Sequence, residues 1–255
     1  MSGLIDTSVF CGYWPFRCLE HRTPETLKAH LEQRGVHRAW VSSSEAVLCP
    51  DPMQANEPLF SAVQGDSFFL PVGIVDITLA AWERDARICI ERLGSRALKL
   101  LPNYHQYELS DPRVGELVRL AQEADIPVCI QIRMMDERSH HPLMVVPAVS
   151  APDLADLANR HPEARFLACG AYHRDLKGLS GATNLWAEIS LVESAQTLSG
   201  AVAAIGSERL VFGSHSPFIY FGAVAAKLDV DPTDVPREEV EAMRENNATV
   251  LLGDN

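Results

Sequence analysis

The chain has 255 residues, a formal net charge of −12 and 22% charged residues. This length suits one domain and allows an extensive core without disulfide or metal staples. The acidic balance excludes a general nucleic-acid-binding surface, because phosphate recognition needs clustered lysine and arginine. The six cysteines form no C-x-x-C pair, and no leader-like or membrane-spanning apolar segment is found. We therefore expect one domain, residues 1–255, in a reduced cytoplasmic protein that binds neither nucleic acid nor membrane.

Strand-like and helix-like stretches alternate along the chain. The predicted strands are short apolar runs, such as FFLPVGIV at residues 68–75, and parallel strands buried on both faces have this character. Thr23-Pro24 and Asp111-Pro112 each place an N-cap residue before a proline at the first helical position. The predicted strands begin near Gly3, Val36, Phe68, Arg96, Ile126, Ala164, Asn184 and Arg209.

Eight strand–helix units predict a (β/α)8 TIM barrel. The sixth unit is the weakest, because residues 172–182 have no clean helical period, and a shortened sixth helix is expected. In such barrels the loops at the carboxyl ends of the strands hold the functional site. Side chains at and just after these ends are therefore the first candidates for function.

The first and last predicted strands read LIDTSVFCG (residues 4–12) and LVFGSHSPF (residues 210–218). They resemble the amidohydrolase-related family (amidohydrolase 2 type) of metal-dependent TIM barrels, which usually opens with IDxHxH and closes with FGSDxP. Other stretches resemble the family's fourth, fifth and sixth strands and its closing helix, in the same order: residues 97–102, 126–131, 165–170 and 247–253. The resemblance covers nearly the whole chain and also implies a barrel.

Five positions fall where this family keeps its metal ligands: Ser8, Phe10, Gln131, Cys169 and His215. The first four replace histidine and the last replaces aspartate. A catalytic zinc or iron needs about three good protein ligands and an open position. Only Cys169 and His215 qualify here, and Asp6 would add a carboxylate. We therefore expect no bound metal and no cofactor, with a zinc site made from Cys169, His215 and a carboxylate as the least favoured alternative.

Cationic and aromatic side chains follow several strands. Trp14 and Phe16 would wall a pocket in which Arg17 binds an anion, although packing on the barrel rim explains them equally well. Lys99 ends the fourth strand and would bind a carboxylate or phosphate, or act as a base or Schiff-base amine. Its alternative role is an ion pair with Asp76 or Glu188, which end the third and seventh strands.

The segment after the fifth strand reads QIRMMDERSHHP (residues 131–142). Gln131 and Arg133 share one face of the strand, so both are expected at the barrel mouth. The run that contains Asp136, Arg138 and His141 resembles a divergent branch of the same family, which carries WPFR after strand 1 and DxRxxHP after strand 5. Considered alone, Asp136 and Arg138 are most simply a structural ion pair.

These residues define a predicted site. His215 is the expected general acid or base, with Asp136 or Glu188 as its carboxyl partner. Its alternative role is to hold the turn at residues 214–217 through backbone hydrogen bonds. The predicted substrate-binding residues are Trp14, Arg17, Lys99, Tyr104, Gln131, Arg133, Arg138 and His141. This cationic mouth predicts a small anionic or carbohydrate-derived ligand.

Two classes of function remain open. The first is a divergent, metal-independent enzyme that hydrolyses a lactone or ester or decarboxylates its substrate, reactions that only the resemblance implies. The second is a non-catalytic ligand-binding barrel, which is favoured by the phenyl ring of Phe10 in a ligand slot. The charged mouth opposes it, because buried charges are costly unless they are paired or used. The resemblance also implies a homodimer.

Overall fold

The computed structural model describes residues 3–229 and 235–254. The strands are β1 (Leu4–Cys11), β2 (Val36–Ser43), β3 (Phe69–Ile74), β4 (Ala97–Leu100), β5 (Val128–Gln131), β6 (Phe166–Cys169), β7 (Leu185–Glu188) and β8 (Leu210–Val211). Each begins within two residues of its predicted start. All neighbouring strands pair in parallel in the order β1 to β8, which confirms the (β/α)8 barrel.

The segment that directly follows β8, residues 212–216, pairs with β1 and closes the barrel. Thr7 N donates to Phe212 O at 3.0 Å, and His215 N donates to Ser8 O at 2.8 Å. Val9 forms a parallel bridge with Ser216. These bonds continue the ladder beyond the short β8, so β1 has a partner on both sides.

Helices cover the outside of the barrel. They are α1 (Pro24–Glu32), α2 (Met53–Val63), α3 (Trp82–Arg87), α4 (Pro112–Glu123), α5 (Ala151–Arg160), α6 (His173–Leu179), α7 (Thr197–Ile205), α8 (Phe221–Asp229), α9 (Arg237–Glu241) and α10 (Asn247–Leu252). The predicted caps are confirmed, since Thr23 and Asp111 accept from backbone N–H groups at the starts of α1 and α4.

The predicted shortening of the sixth helix is also confirmed. Helix α6 has 7 residues and buries only Leu176 and Leu179 against the barrel. Two apolar contacts one turn apart are too few to give the segment a clear helical period in the sequence. Within residues 3–229 and 235–254, none of the helices combines the length and apolar character needed to cross a membrane.

The barrel interior changes character along the strands. Near their amino ends it is apolar, with Trp40, Leu70 and Leu167 in one cluster. Further along, five buried polar residues form what we call the inner polar layer: Ser8, Lys99, Gln131, Glu188 and His215. Beyond them a second apolar cluster contains five residues that we call the apolar cover: Phe10, Trp14, Met134, Met135 and Phe218. The polar layer is thus enclosed between two apolar ones.

Candidate functional site

His215 lies at the end of the β8 segment with its side chain in the barrel. Its Nε2 is 2.9 Å from Met134 O, which can only accept, so Nε2 carries the proton. The unprotonated Nδ1 faces Ser8 Oγ at 3.3 Å. Burial, followed by the charge of Lys99, lowers the pKa of His215 to about 3. The imidazole is therefore neutral at neutral pH, and its catalytic role remains a prediction.

The backbone of His215 also fixes the turn that follows. Its φ of 57° is uncommon for a residue with a side chain. Its carbonyl accepts from Phe218 N at 2.9 Å while its own N–H is bonded to β1. These bonds agree with the alternative role of His215, which is to hold the turn at residues 214–217.

Glu188 ends β7 and is fully engaged by its neighbours. Its carboxylate accepts from the N–H groups of Gly170 and Ser190 and from Ser190 Oγ at 2.8 Å. Burial raises the pKa of Glu188, and these hydrogen bonds oppose the rise. Its Oε1 is also 3.9 Å from His215 Nδ1. Glu188 therefore joins the loop after β6 to the end of β7.

Lys99 is buried at the end of β4, with 1% of its surface exposed. Its Nζ is 4.3 Å from the centroid of the Phe10 ring, a cation–π contact. Among residues 3–229 and 235–254 it has neither a hydrogen-bond acceptor nor a carboxylate at ion-pair distance. The expected alternative, a pair with Asp76 or Glu188, is wrong, because Asp76 accepts from Thr78 instead.

Gln131 and Cys169 are register partners on β5 and β6. Gln131 Nε2 donates to Arg133 O at 2.5 Å, whereas its Oε1 is buried without a donor. The thiol of Cys169 interacts with that of Cys129 inside the barrel, and this contact and burial raise the pKa of Cys169. Both side chains thus face the interior, as the sequence predicted for these two slots.

A cavity of about 300 Å³ opens beyond the apolar cover, and we call it the mouth cavity. The loops after β1, β4 and β5 line it with Trp14, Phe16, Arg17, Tyr104, His140 and His141. The rings of Trp14 and Phe16 are 6.0 Å apart, and those of Phe16 and His141 are 5.2 Å apart. Four of the predicted substrate-binding residues therefore meet here: Trp14, Arg17, Tyr104 and His141.

Arg17 is the cation of the mouth cavity. Its Nη2 donates to Phe218 O at 2.7 Å, and its guanidinium lies 5.9 Å from the centroid of the Phe218 ring. Desolvation lowers the pKa of Arg17 below its ordinary value. Within the described part of the chain no carboxylate pairs with it. A ligand that enters the cavity thus meets an arginine whose charge is not neutralised.

Arg133 is buried but already neutralised. Its guanidinium donates to Asp175 at 2.5 Å and to Glu137 at 2.8 Å, and it lies 4.0 Å from the centroid of the Tyr172 ring. A Cβ at Gly170 would overlap Arg133 O, so only glycine allows this approach between the two loops. Arg133 therefore fixes the start of the loop after β5.

Asp136 and Arg138 form the structural ion pair that was expected when the two were considered alone. Two hydrogen bonds, of 2.8 and 2.7 Å, join them at the surface. This contact lowers the pKa of Asp136 to about 2. They line a separate cavity of about 320 Å³ with Tyr172, Arg174 and Glu193. The structure thus separates Asp136 and Arg138 from the mouth cavity and from His215.

Three residues of this region were not predicted as parts of the site. Phe218 contacts Phe10 at 5.3 Å and Trp14 at 5.1 Å, and its carbonyl holds Arg17. Met135 belongs to the apolar cover and also lines the mouth cavity, as does His140. Their sequence signal was position alone, since each follows β5 or β8 by a few residues.

Comparison with known proteins identifies the family. A family model described as Amidohydrolase (Amidohydro_2) matches residues 62–253. The chain belongs to this amidohydrolase family. The comparison with curated proteins finds no match.

Solved structures with the same fold include several decarboxylases. The 2,6-dihydroxybenzoate decarboxylase from Rhizobium has a TM-score of 0.76 and 15% identity over 100% of both chains. A dihydroxybenzoic acid decarboxylase from Polaromonas sp. JS666 has a TM-score of 0.72 and 15% identity, over 99% of this chain and 97% of that chain. The 5-carboxyvanillate decarboxylase from Novosphingobium aromaticivorans has a TM-score of 0.73 and 12% identity, over 98% and 97%. At these identities the likeness shows the barrel fold.

The Polaromonas and Novosphingobium structures contain bound manganese. The expectation that no cofactor is involved is therefore wrong for proteins of this kind. The side chains of this chain do not fit such an ion: across residues 3–229 and 235–254, no three His, Cys, Asp or Glu residues are grouped to hold a metal. His215 Nε2 is bonded to Met134 O, and the Phe10 ring is 5.0 Å from the imidazole. The alternative zinc set of Cys169, His215 and a carboxylate is not assembled either.

Proposed function

We propose that this member of the family is a decarboxylase of small aromatic carboxylic acids and that the acid binds in the mouth cavity. The observation that carries the proposal is Arg17, an arginine without a carboxylate partner in the described chain, beside the aromatic rings of Trp14, Phe16 and Tyr104. Family membership and the names of the decarboxylases with the same fold support the reaction class.

The size and lining of the mouth cavity favour this ligand class. A volume of about 300 Å³ lies at the lower end of small-molecule sites, and a single substituted ring fits it. Aromatic walls bind a ring by stacking and edge contacts. A guanidinium binds a carboxylate through two parallel hydrogen bonds, provided that Arg17 turns part of its fork from Phe218 O toward the ligand.

The reaction needs a water-poor site and a proton donor. Loss of carbon dioxide breaks the bond between the ring and the carboxylate and leaves an electron pair on the ring carbon, which must accept a proton. The apolar cover would limit water around the carboxylate and so favour dispersal of its charge. His140 and His141 are the imidazoles that line the cavity and would deliver the proton.

A ligand-binding barrel without catalysis is the second candidate. It is favoured by the apolar cover, because Trp14 and Met135 of this cover line the mouth cavity and His215 is not among its lining residues. In that case the cavity binds the same acids and the inner polar layer only supports the fold.

Turnover measurements separate these functions. The purified protein would be incubated with a panel of mono- and dihydroxybenzoates, with and without added manganese, and the phenolic products quantified by liquid chromatography. We expect one acid to lose its carboxylate, and we expect Arg17→Ala to lower kcat/KM at least about 10-fold, the effect of a lost charged hydrogen bond. Arg119→Ala, at an exposed arginine paired with Glu123, is the matched control.

Each other result has a definite meaning. Saturable binding without product under any metal condition would favour the ligand-binding barrel. No binding of any aromatic acid would overturn the proposal.

A further inference from the structure

Two groups of the inner polar layer lack hydrogen-bond partners, and they have opposite character. Lys99 Nζ is a donor without an acceptor in the described chain, and Gln131 Oε1 is a buried acceptor without a donor. The other polar groups of the layer are bonded: Ser8 to His215, His215 to Met134 O, and Glu188 to Gly170 and Ser190. Within the inner polar layer of the described chain, Lys99 and Gln131 are therefore the two residues with a hydrogen-bonding group that has no partner.

These two residues are close neighbours in the barrel. Lys99 is the register partner of Cys129, and Gln131 lies two residues further toward the mouth on the same inward face of β5. Lys99 is near enough to lower the pKa values of Cys129 and His215 through its charge. The charge of Lys99 therefore acts on two neighbouring side chains of the interior.

Glu188, the buried carboxylate of the inner polar layer, does not neutralise Lys99. Both oxygens of Glu188 accept hydrogen bonds from Gly170 and Ser190. A buried ammonium is costly unless an anion and hydrogen-bond acceptors surround it. A buried amide oxygen without a donor is also unfavourable. One ligand that offers an anionic oxygen and a hydroxyl group would satisfy both.

We propose that Lys99 and Gln131 form a subsite for a small protonated oxyanion of the bicarbonate class, beneath the apolar cover. The anionic oxygens accept hydrogen bonds from Lys99 Nζ, and the hydroxyl group donates to Gln131 Oε1. Bicarbonate carries both groups on a single carbon, whereas formate has the anionic oxygens but no hydroxyl. The ion enters from the mouth cavity past Met135, whose unbranched side chain adapts readily.

The biological meaning of this subsite rests on the proposed function, because bicarbonate is the hydrated form of the carbon dioxide that a decarboxylase releases. Binding of the anion itself does not rest on it. The two claims therefore have separate tests.

The test compares bicarbonate with chloride and formate at equal ionic strength and at pH 8. Thermal unfolding and the ¹³C NMR signal of labelled bicarbonate would be followed as the anion concentration rises. We expect bicarbonate to raise the Tm of the wild-type protein in a saturable way and more than formate does. In Lys99→Met the apparent Kd for bicarbonate rises at least tenfold, and in Gln131→Leu the preference for bicarbonate over formate is lost.

Lys227→Met is the matched control, because Lys227 is a partly buried lysine that donates to Ile189 O and Ser190 O. It should retain the response to bicarbonate. Equal rises in Tm with bicarbonate and with chloride in the wild-type protein would overturn the proposal. This comparison needs no variant, so the proposal can be tested even if Lys99→Met does not fold. Bicarbonate binding that depends on Lys99, without turnover of any aromatic acid, would support the subsite and contradict the decarboxylase. Turnover of an aromatic acid without such bicarbonate binding would support the decarboxylase and contradict the subsite.

Discussion

The mouth cavity and the inner polar layer contain similar kinds of side chains, but the structure holds them in different ways. Arg17 and His141 lie on loops, beside an open space lined by rings. Glu188 and His215 extend from strand ends and are bonded to the neighbouring backbone. A polar residue at a strand end of a barrel can therefore stabilise the fold by bonding to neighbouring backbone, whereas the residues that are accessible to a ligand lie on the loops.

Glu188→Ala should have the largest effect, because it leaves the N–H groups of Gly170 and Ser190 buried without an acceptor. At about 1–3 kcal/mol for each unpaired group, the free energy of unfolding should fall by about 2–6 kcal/mol in a urea titration. Glu188→Gln keeps one acceptor oxygen and should lose less. Equal stability of Glu188→Ala and the wild-type protein would mean that the inner polar layer does not support the fold.

Asp6→Asn should change how stability depends on pH. Burial raises the pKa of Asp6 from 3.8 to about 7, while its Oδ1 accepts from Ser214 N at 2.8 Å. The folded state therefore favours the protonated acid. This contribution is complete below pH 4 and is lost as the pH rises to about 7, by up to about 4 kcal/mol at 1.36 kcal/mol per pKa unit.

The measurement is the free energy of unfolding of both proteins between pH 4 and pH 8. The difference between the wild-type protein and Asp6→Asn should move in favour of the variant as the pH rises. A difference that stays constant across this range would contradict the protonated Asp6.

Lys99→Met tests the unpaired charge in the absence of added anions. Removal of a buried ammonium that has no carboxylate partner should raise the free energy of unfolding by about 1–3 kcal/mol. Lys227→Met removes an ammonium bonded to two carbonyl groups, so it should lower stability instead. Urea titrations in a buffer free of carboxylates and bicarbonate provide the comparison, and a loss of stability in both variants would indicate that Lys99 has a partner.

Asp136→Asn should have the smallest effect. The carboxylate pairs with Arg138 at the surface and does not line the mouth cavity. Exposed ion pairs contribute little, so kcat/KM and the ligand Kd should both stay within about twofold of the wild-type values. A tenfold loss of turnover would restore Asp136 to the catalytic role that the sequence suggested.

The sequence predicted the barrel well because buried parallel strands and proline-capped helices leave local signals. The resemblance to the family placed Gln131, Cys169 and His215 in the interior. It also brought Trp14 and Arg17 to one mouth. It did not show that Arg133 is neutralised by Asp175, because 42 residues separate the two and no local pattern links them. Nor did it show the apolar cover, which is assembled from the end of β1 and three loops whose packing depends on closure of the barrel.

The most direct test of the mouth cavity as a carboxylate site is a calorimetric titration of the wild-type protein and Arg17→Ala with 2-hydroxybenzoate and its primary amide. Arg119→Ala serves as the control. We expect the acid to bind more tightly than the amide to the wild-type protein and to Arg119→Ala, and we expect Arg17→Ala to lose this preference. An acid that binds no better than its amide, or a preference that survives in Arg17→Ala, would contradict the assignment of the mouth cavity as a carboxylate site.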